Sequence, residues 1–148
     1  MEEKGSSMGL EYKLKGFLPE ELDSVYKLFN KFSKEVGFVM RPAIIESARR
    51  RNLIVVKDGD KVIGSCKFNI RKRDKVGVIY EVVVDNEYRG KGIGLECVNI
   101  VRGKCLYLEL KCPIDNESNK FYEKVGFKKV RVISGKKRKL NVWRILGR

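Results

Sequence analysis

Residues 10–16 alternate, with Leu10, Tyr12 and Leu14 against Glu11, Lys13 and Lys15, which is the period of a half-buried strand. Pro19 then takes the favoured first position of a helix, and Glu20 and Glu21 sit near the positive end of its dipole. Leu22, Val25, Leu28, Phe29, Phe32 and Val36 recur at helical spacing and stop at Gly37. A second short helix, roughly 42–51, follows Pro42. Leu53–Lys57 and Lys61–Ile70 flank Asp58-Gly59-Asp60, a hairpin signal. Lys75–Val84 reads as a third consecutive strand and carries the run Val82-Val83-Val84. A glycine-rich loop, a helix to about Arg102, a strand at Cys105–Leu110 and a helix at Asn116–Lys124 follow. Phe127–Ile133 and Lys139–Ile145 pair around Ser134-Gly135. The order β-α-α-β-β-β-α-β-α-β-β, free of repeats and Pro/Gly linkers, predicts one α/β domain over 1–148.

The length of 148 residues suits one domain with a self-sufficient core. Its 43% hydrophobic and 35% charged residues read as soluble and globular. No apolar run reaches the ~18 residues that span a bilayer. Residues 1–7 lack the basic start and apolar centre of a signal peptide. A cytoplasmic protein without a membrane partner is expected. Histidine is absent, which excludes histidine-ligated zinc and any Ser-His-Asp or Cys-His nucleophile. Cys66, Cys97, Cys105 and Cys112 form no CxxC pair and read as buried, reduced side chains, so no metal is expected.

The net charge of +14 is unevenly placed. Residues 128–148 carry nine Lys/Arg and no acid, leaving +5 for the other 127 residues. Such a tail fits a polyanionic cofactor, substrate or nucleic acid, and equally a solvated, solubilising face.

The segment Arg89-Gly90-Lys91-Gly92-Ile93-Gly94 joins a strand to a helix start. Glycines at alternate positions let backbone approach a ligand and turn several N–H groups to one side. Together with the helix N-terminus they make an anion site, beside which Arg89 and Lys91 add charge. The third glycine falls one position early for G-x-G-x-x-G, and no Gly-Lys-Ser/Thr follows as a P-loop requires.

This loop resembles the Arg/Gln-x-x-Gly-x-Gly/Ala signature of the GNAT superfamily of N-acetyltransferases, which wraps the pyrophosphate of acetyl-CoA. The resemblance extends upstream through Glu81-Val82-Val83-Val84-Asp85-Asn86-Glu87-Tyr88. It resumes in Asn119-Lys120-Phe121-Tyr122-Glu123-Lys124-Val125-Gly126-Phe127, and the element order is also the family's. It implies a mixed, mostly antiparallel sheet of six or seven strands flanked by helices. The strands at 78–84 and 105–110 would run parallel and splay into a V that receives acetyl-CoA. Backbone of Val82, Val83 and Val84 would pair with the pantetheine arm, and Arg89, Gly90, Lys91, Gly92, Ile93 and Gly94 would hold the pyrophosphate. An oxyanion donor would be a backbone N–H near Val83.

The resemblance also carries over two catalytic roles. Tyr122 matches the tyrosine that family members often use as general acid toward the sulfur, and a phenol with pKa near 10 is protonated at neutral pH. A core tyrosine with a satisfied hydroxyl is the alternative. Glu81 occupies a position where many members carry the base that draws a proton from the amine, often through water. A salt bridge or strand-end carboxylate is the alternative there. Members commonly place an asparagine seven residues and a small residue four residues before the tyrosine. Here those positions hold Asp115 and Ser118, with Asn116 and Asn119 each one step away. Asn116 is taken as the cofactor contact.

In this architecture the acceptor enters between the first helices and the closing hairpin. Phe38 and Arg41 are candidate lining residues, Phe38 being equally a core plug. The basic hairpin Ser134–Arg138 favours an acceptor bearing carboxylate or phosphate, or a nucleic acid. The expected activity is acetyl transfer from acetyl-CoA to a primary amine in a ternary complex, by a monomer or homodimer. The alternatives are a non-catalytic acyl-CoA-binding protein of this fold and a basic nucleic-acid-binding module.

Overall fold

A computed structural model describes residues 9–148. The strands are β1 (Leu10–Lys13), β2 (Leu53–Asp58), β3 (Lys61–Ile70), β4 (Val76–Val84), β5 (Tyr107–Pro113), β6 (Lys128–Ser134) and β7 (Lys139–Leu146). The helices are α1 (Pro19–Lys31), α2 (Ser33–Val36), α3 (Arg41–Arg49), α4 (Ile93–Arg102) and α5 (Ser118–Val125). The seven strands form one sheet in the order β1-β2-β3-β4-β5-β7-β6. Strands β4 and β5 pair in parallel, and the ladders β1–β2, β2–β3, β5–β7 and β6–β7 are antiparallel. The mixed, mostly antiparallel α/β fold is therefore the one expected. No helix among the described residues is long and apolar enough to cross a membrane.

By internal packing the chain divides into two units, one running up to Phe68 and including Glu81–Val98, the other comprising Asn69–Tyr80 and Asn99–Arg148. In the first, Val25, Leu28 and Phe29 of α1 and Ile44 of α3 meet Leu53, Val55, Val62 and Val83 in a buried apolar core. The spacing of these residues is the helical and strand spacing of the sequence. The helix expected from Pro19 to Gly37 is broken once, at Phe32 (φ −113°, ψ 30°). The Phe32 carbonyl then accepts from the N–H groups of Glu35 and Val36 and starts α2, which stops at Gly37 with φ +85°. Strand β1 is shorter than the alternation suggests, and Gly16 (φ +69°) turns the chain toward α1.

Glu21 ties this unit's sheet to α1. Its carboxylate is buried and accepts from Lys57 Nζ, from Lys13 Nζ at 2.9 Å and from the Leu18 N–H at 2.7 Å, capping the helix. Burial alone would raise its pKa, but the hydrogen bonds from Lys57, Leu18 and Lys13 outweigh it and lower the pKa from 4.5 to about 2. A depressed carboxylate pKa contributes stability above the unfolded pKa that is lost as pH falls through the folded one. Urea midpoints of the native chain and of Glu21→Gln are therefore expected to differ by a constant amount above about pH 5 and to converge between pH 4.5 and 2. A gap independent of pH across that range would remove Glu21's ionisation as the cause.

In the second unit, β4 and β5 pair in parallel from Val76↔Tyr107 to Ile79↔Leu110. Strand β5 begins two residues later than expected and runs on to Pro113. Cys105 still belongs to the exit from α4: its N–H reaches Arg102 O and its Sγ reaches Val101 O. Leu108, Leu110 and Cys112 fill one face of β5, Val142 and Trp143 of β7 are buried, and Phe127 is buried after α5. All four cysteines are buried and unpaired. Burial pushes the Cys97 thiol up to about 12 and the Cys112 thiol up to about 11.

Candidate functional site

The loop between β4 and α4 starts with a 3-10 turn over Asn86–Tyr88, whose entry is fixed by Asp85 accepting from the Glu87 N–H. Gly90 (φ +79°) and Gly92 (φ +82°) are both left-handed, a conformation costly for other residues, and they flank exposed Lys91. The first bond of α4 runs from Glu96 N to Gly92 O. The N–H groups of Ile93, Gly94 and Leu95 stand ahead of it and have no acceptor in their own helix. Positive φ explains two of the three glycines. Gly94 is different: it lies inside α4 without positive φ, and a Cβ there would meet nothing within 4 Å. Neither backbone nor packing within the chain demands glycine at 94, whereas a ligand approaching the helix start would.

Arg89 braces this loop from behind. Its Nε donates to Val84 O at 2.9 Å, its Nη1 lies 3.1 Å from Glu35 Oε1, and its guanidinium sits 4.7 Å from the Phe32 ring centroid. Of the loop's two cations, Lys91 is the one not drawn into such a cluster in the structure.

The end of β4 has two distinguishable edges. A Cβ on Gly64 would lie 3.2 Å from Val83 O, and Asp85 N donates to Ile63 O at 2.8 Å, so Val83 and Asp85 face β3. By the alternation of strand peptide groups, those of Val82 and Val84 face the opposite edge, where Arg89 takes Val84 O. An added extended ligand would meet the N–H and C=O of Val82 and the N–H of Val84.

Glu81 is partly buried, its Oε1 3.4 Å from Lys67 Nζ. That oxygen is inaccessible and makes no hydrogen bond, so the carboxylate is held beside a cation with an acceptor position unsaturated. Lys67 was not singled out in the sequence, although strand alternation in β3 was the signal available for it.

On α5, Tyr122 is partly buried within an aromatic cluster. Its ring lies edge-on to Phe121 at 5.6 Å and Phe127 at 5.7 Å, and tilted to Trp143 at 6.5 Å. The two asparagines near the expected positions make different contacts. Asn119 Oδ1 accepts from Trp143 Nε1 at 2.8 Å and Asn141 Nδ2 at 3.0 Å, while its Nδ2 donates to Pro113 O and Asn116 O. It locks α5 to β7 and saturates the amide. Asn116 Oδ1 accepts from the Ser118 N–H at 2.8 Å and shapes the start of α5.

Among the acceptor candidates, Phe38 is 64% exposed, so it does not plug the core. Arg41 pairs with Asp23 and stacks 4.3 Å from the Tyr26 ring centroid. In the second unit, the hairpin cations Lys136, Lys137, Arg138 and Lys139 are all exposed, with Asp115 the acid nearest Arg138 at 3.9 Å.

The acetyltransferase (GNAT) domain family matches residues 49–129 of this chain. An uncharacterized N-acetyltransferase of Methanocaldococcus jannaschii is 35% identical over 74 residues, covering 45% of this chain and 32% of that protein. The match thus spans about a third of that relative's length. Ard1 from Thermoplasma volcanium superposes with a TM-score of 0.78 at 17% identity, over 94% of this chain and 98% of that one. Arabidopsis thaliana Naa50, in complex with the bisubstrate analogue CoA-Ac-MVNAL, gives 0.71 at 19% identity, over 93% and 98%. At these identities the two structures speak to fold.

Proposed function

The chain belongs to the GNAT acetyltransferase family, and on that premise we propose that it is a single-domain N-acetyltransferase, moving an acetyl group from acetyl-CoA to a primary amine within a ternary complex. The observation that carries this reading is the loop Arg89–Gly94. Two left-handed glycines feed a helix start whose first amides have no acceptor in their own helix, and a Cβ on Gly94 would meet nothing within 4 Å. These features suit a pyrophosphate. The peptide groups of Val82 and the Val84 N–H suit the amide-bearing arm of the same molecule.

Acetyl-CoA supplies an activated thioester. The amine must be neutral to attack, and Glu81 is the group assigned to accept its proton, directly or through a water. The Glu81 side chain keeps 24% of its surface exposed beside Lys67, which supports that assignment. Val82 or Val84 N–H would donate to the carbonyl oxygen as it gains charge. The Tyr122 hydroxyl would protonate the departing sulfur. Asn119 acts on this only by fixing α5, since its amide is spent on Trp143, Asn141 and backbone. The exposed cations of the β6–β7 turn favour an acceptor that carries an anionic group, including an amine borne on nucleic acid.

Gly94→Ala tests the donor site without disturbing the fold. Replacing a helical glycine with alanine where there is room is expected to raise stability by about 0.5–1 kcal/mol in chemical denaturation. The same change is expected to weaken acetyl-CoA binding in calorimetry. Unchanged affinity in the stabilised variant would remove the loop from the donor site.

A further inference from the structure

Within the second unit, a groove of ≈ 490 Å³ opens between the ends of α4, α5 and three strands. Its walls include Val125, Val130, Ile145 and Leu146, with the ring of Tyr107. Three of these are large apolar groups left substantially exposed: Tyr107 at 42%, Val130 at 46% and Leu146 at 62%. The groove contains none of the residues assigned to the donor or to proton transfer.

Three cations line the same groove: Arg102, Lys128 and Arg144. Arg144 Nη2 bonds buried Glu109 at 2.9 Å, and its guanidinium lies 5.4 Å from the Tyr107 ring centroid. Arg102 Nε donates to Leu146 O at 2.8 Å, and the Arg148 N–H donates to Arg102 O. Burial, and then the charge of Arg148, lower the pKa of Arg102. The negative partners are few. Helices α4 and α5 both end here, at Arg102 and Val125, and their C-termini contribute roughly −0.5 charge each. Adding Glu109 brings the total to about −2 against the three lining cations. The surplus is positive and faces an apolar wall.

Helix-end compensation alone would place cations here without an apolar hollow. A solubilising surface would bring charge without exposed Tyr107, Val130 and Leu146. Both features together match a ligand with a hydrocarbon or aryl body and an anionic head, and the volume lies within the 300–1,000 Å³ of small-molecule sites.

We propose that this groove is a binding site for a small amphipathic carboxylate, its apolar body against Tyr107, Val130 and Leu146 and its head among Arg102, Lys128 and Arg144. This stands independently of the acetyl-transfer reading.

The test is calorimetric titration of the full chain with decanoate, decanol and decyltrimethylammonium, alone and with acetyl-CoA present. Decanoate is expected to bind one site, about tenfold or more tighter than decanol, since one charge-assisted contact is worth that much. The cation should not bind. Val130→Glu and Lys128→Glu alter exposed side chains, so each should weaken decanoate about tenfold or more while thermal unfolding stays unchanged. Absence of decanoate binding would overturn the proposal, as would equal binding of decanol. So would affinity unaltered in both variants, or displacement of decanoate by acetyl-CoA.

Discussion

Gly92→Glu is expected to abolish acetyl-CoA binding. Two effects combine at this position, and their sizes separate them. Gly92 has φ +82°, so any side chain there strains the backbone by about 1–2 kcal/mol, a loss of stability that acts with or without ligand. The carboxylate adds repulsion against a pyrophosphate. A single pair of unit charges at about 4 Å is worth roughly 4 kcal/mol near a protein surface, already about a thousandfold in affinity. Gly92→Ala carries the strain without the charge. It should lower the unfolding temperature about as much as Gly92→Glu does while retaining measurable affinity. Calorimetry on both variants, with circular dichroism to establish folding, checks this. Binding by folded Gly92→Glu at the native affinity would contradict the placement of the pyrophosphate.

Tyr122→Phe is expected to lower kcat on the order of 100-fold, the lower end of what a general acid contributes, with acetyl-CoA affinity nearly unchanged. The substitution removes one oxygen and keeps the ring, so the edge-on packing against Phe121 and Phe127 should survive. A residue serving only as packing would show no loss of turnover at all. Steady-state rates at saturating acceptor, paired with a donor titration, distinguish the two. Full activity would remove Tyr122 from proton delivery to the sulfur and leave it as part of the aromatic cluster with Trp143.

The element order was legible because each segment keeps a clean period: Val25, Leu28 and Phe29 at helical spacing, Leu108, Leu110 and Cys112 at strand spacing. Boundaries were less so, for local reasons. Phe32 keeps the helical spacing and packs against the core, yet its own dihedrals break the helix. Cys105 looks like strand by composition but is held by carbonyls of α4.

At the site, the glycine spacing was readable because φ at Gly90 and Gly92 leaves almost no choice of residue. What Arg89 does was not readable, since its partners Glu35 and Phe32 lie more than fifty residues earlier. The same holds for Asn119. Motif spacing points to 115 and 118, one position before Asn116 and Asn119, and only the partners on β7 assign Asn119 a structural amide. The groove at Tyr107 and Leu146 has no sequence signature, because it is built from the ends of separate elements.

The activity proposed for the chain is transfer of acetyl from acetyl-CoA to an amine. Its most direct test is to incubate the chain with acetyl-CoA and a panel of polyamines, aminosugars, peptides and aminoacyl-tRNA, quantifying free thiol and acetylated amine by mass spectrometry. At least one acceptor is expected to yield thiol and acetylated amine in equal amounts, dependent on the protein and lost in Gly92→Glu. No acetylated amine and no thiol above the protein-free control, across the whole panel, would contradict it.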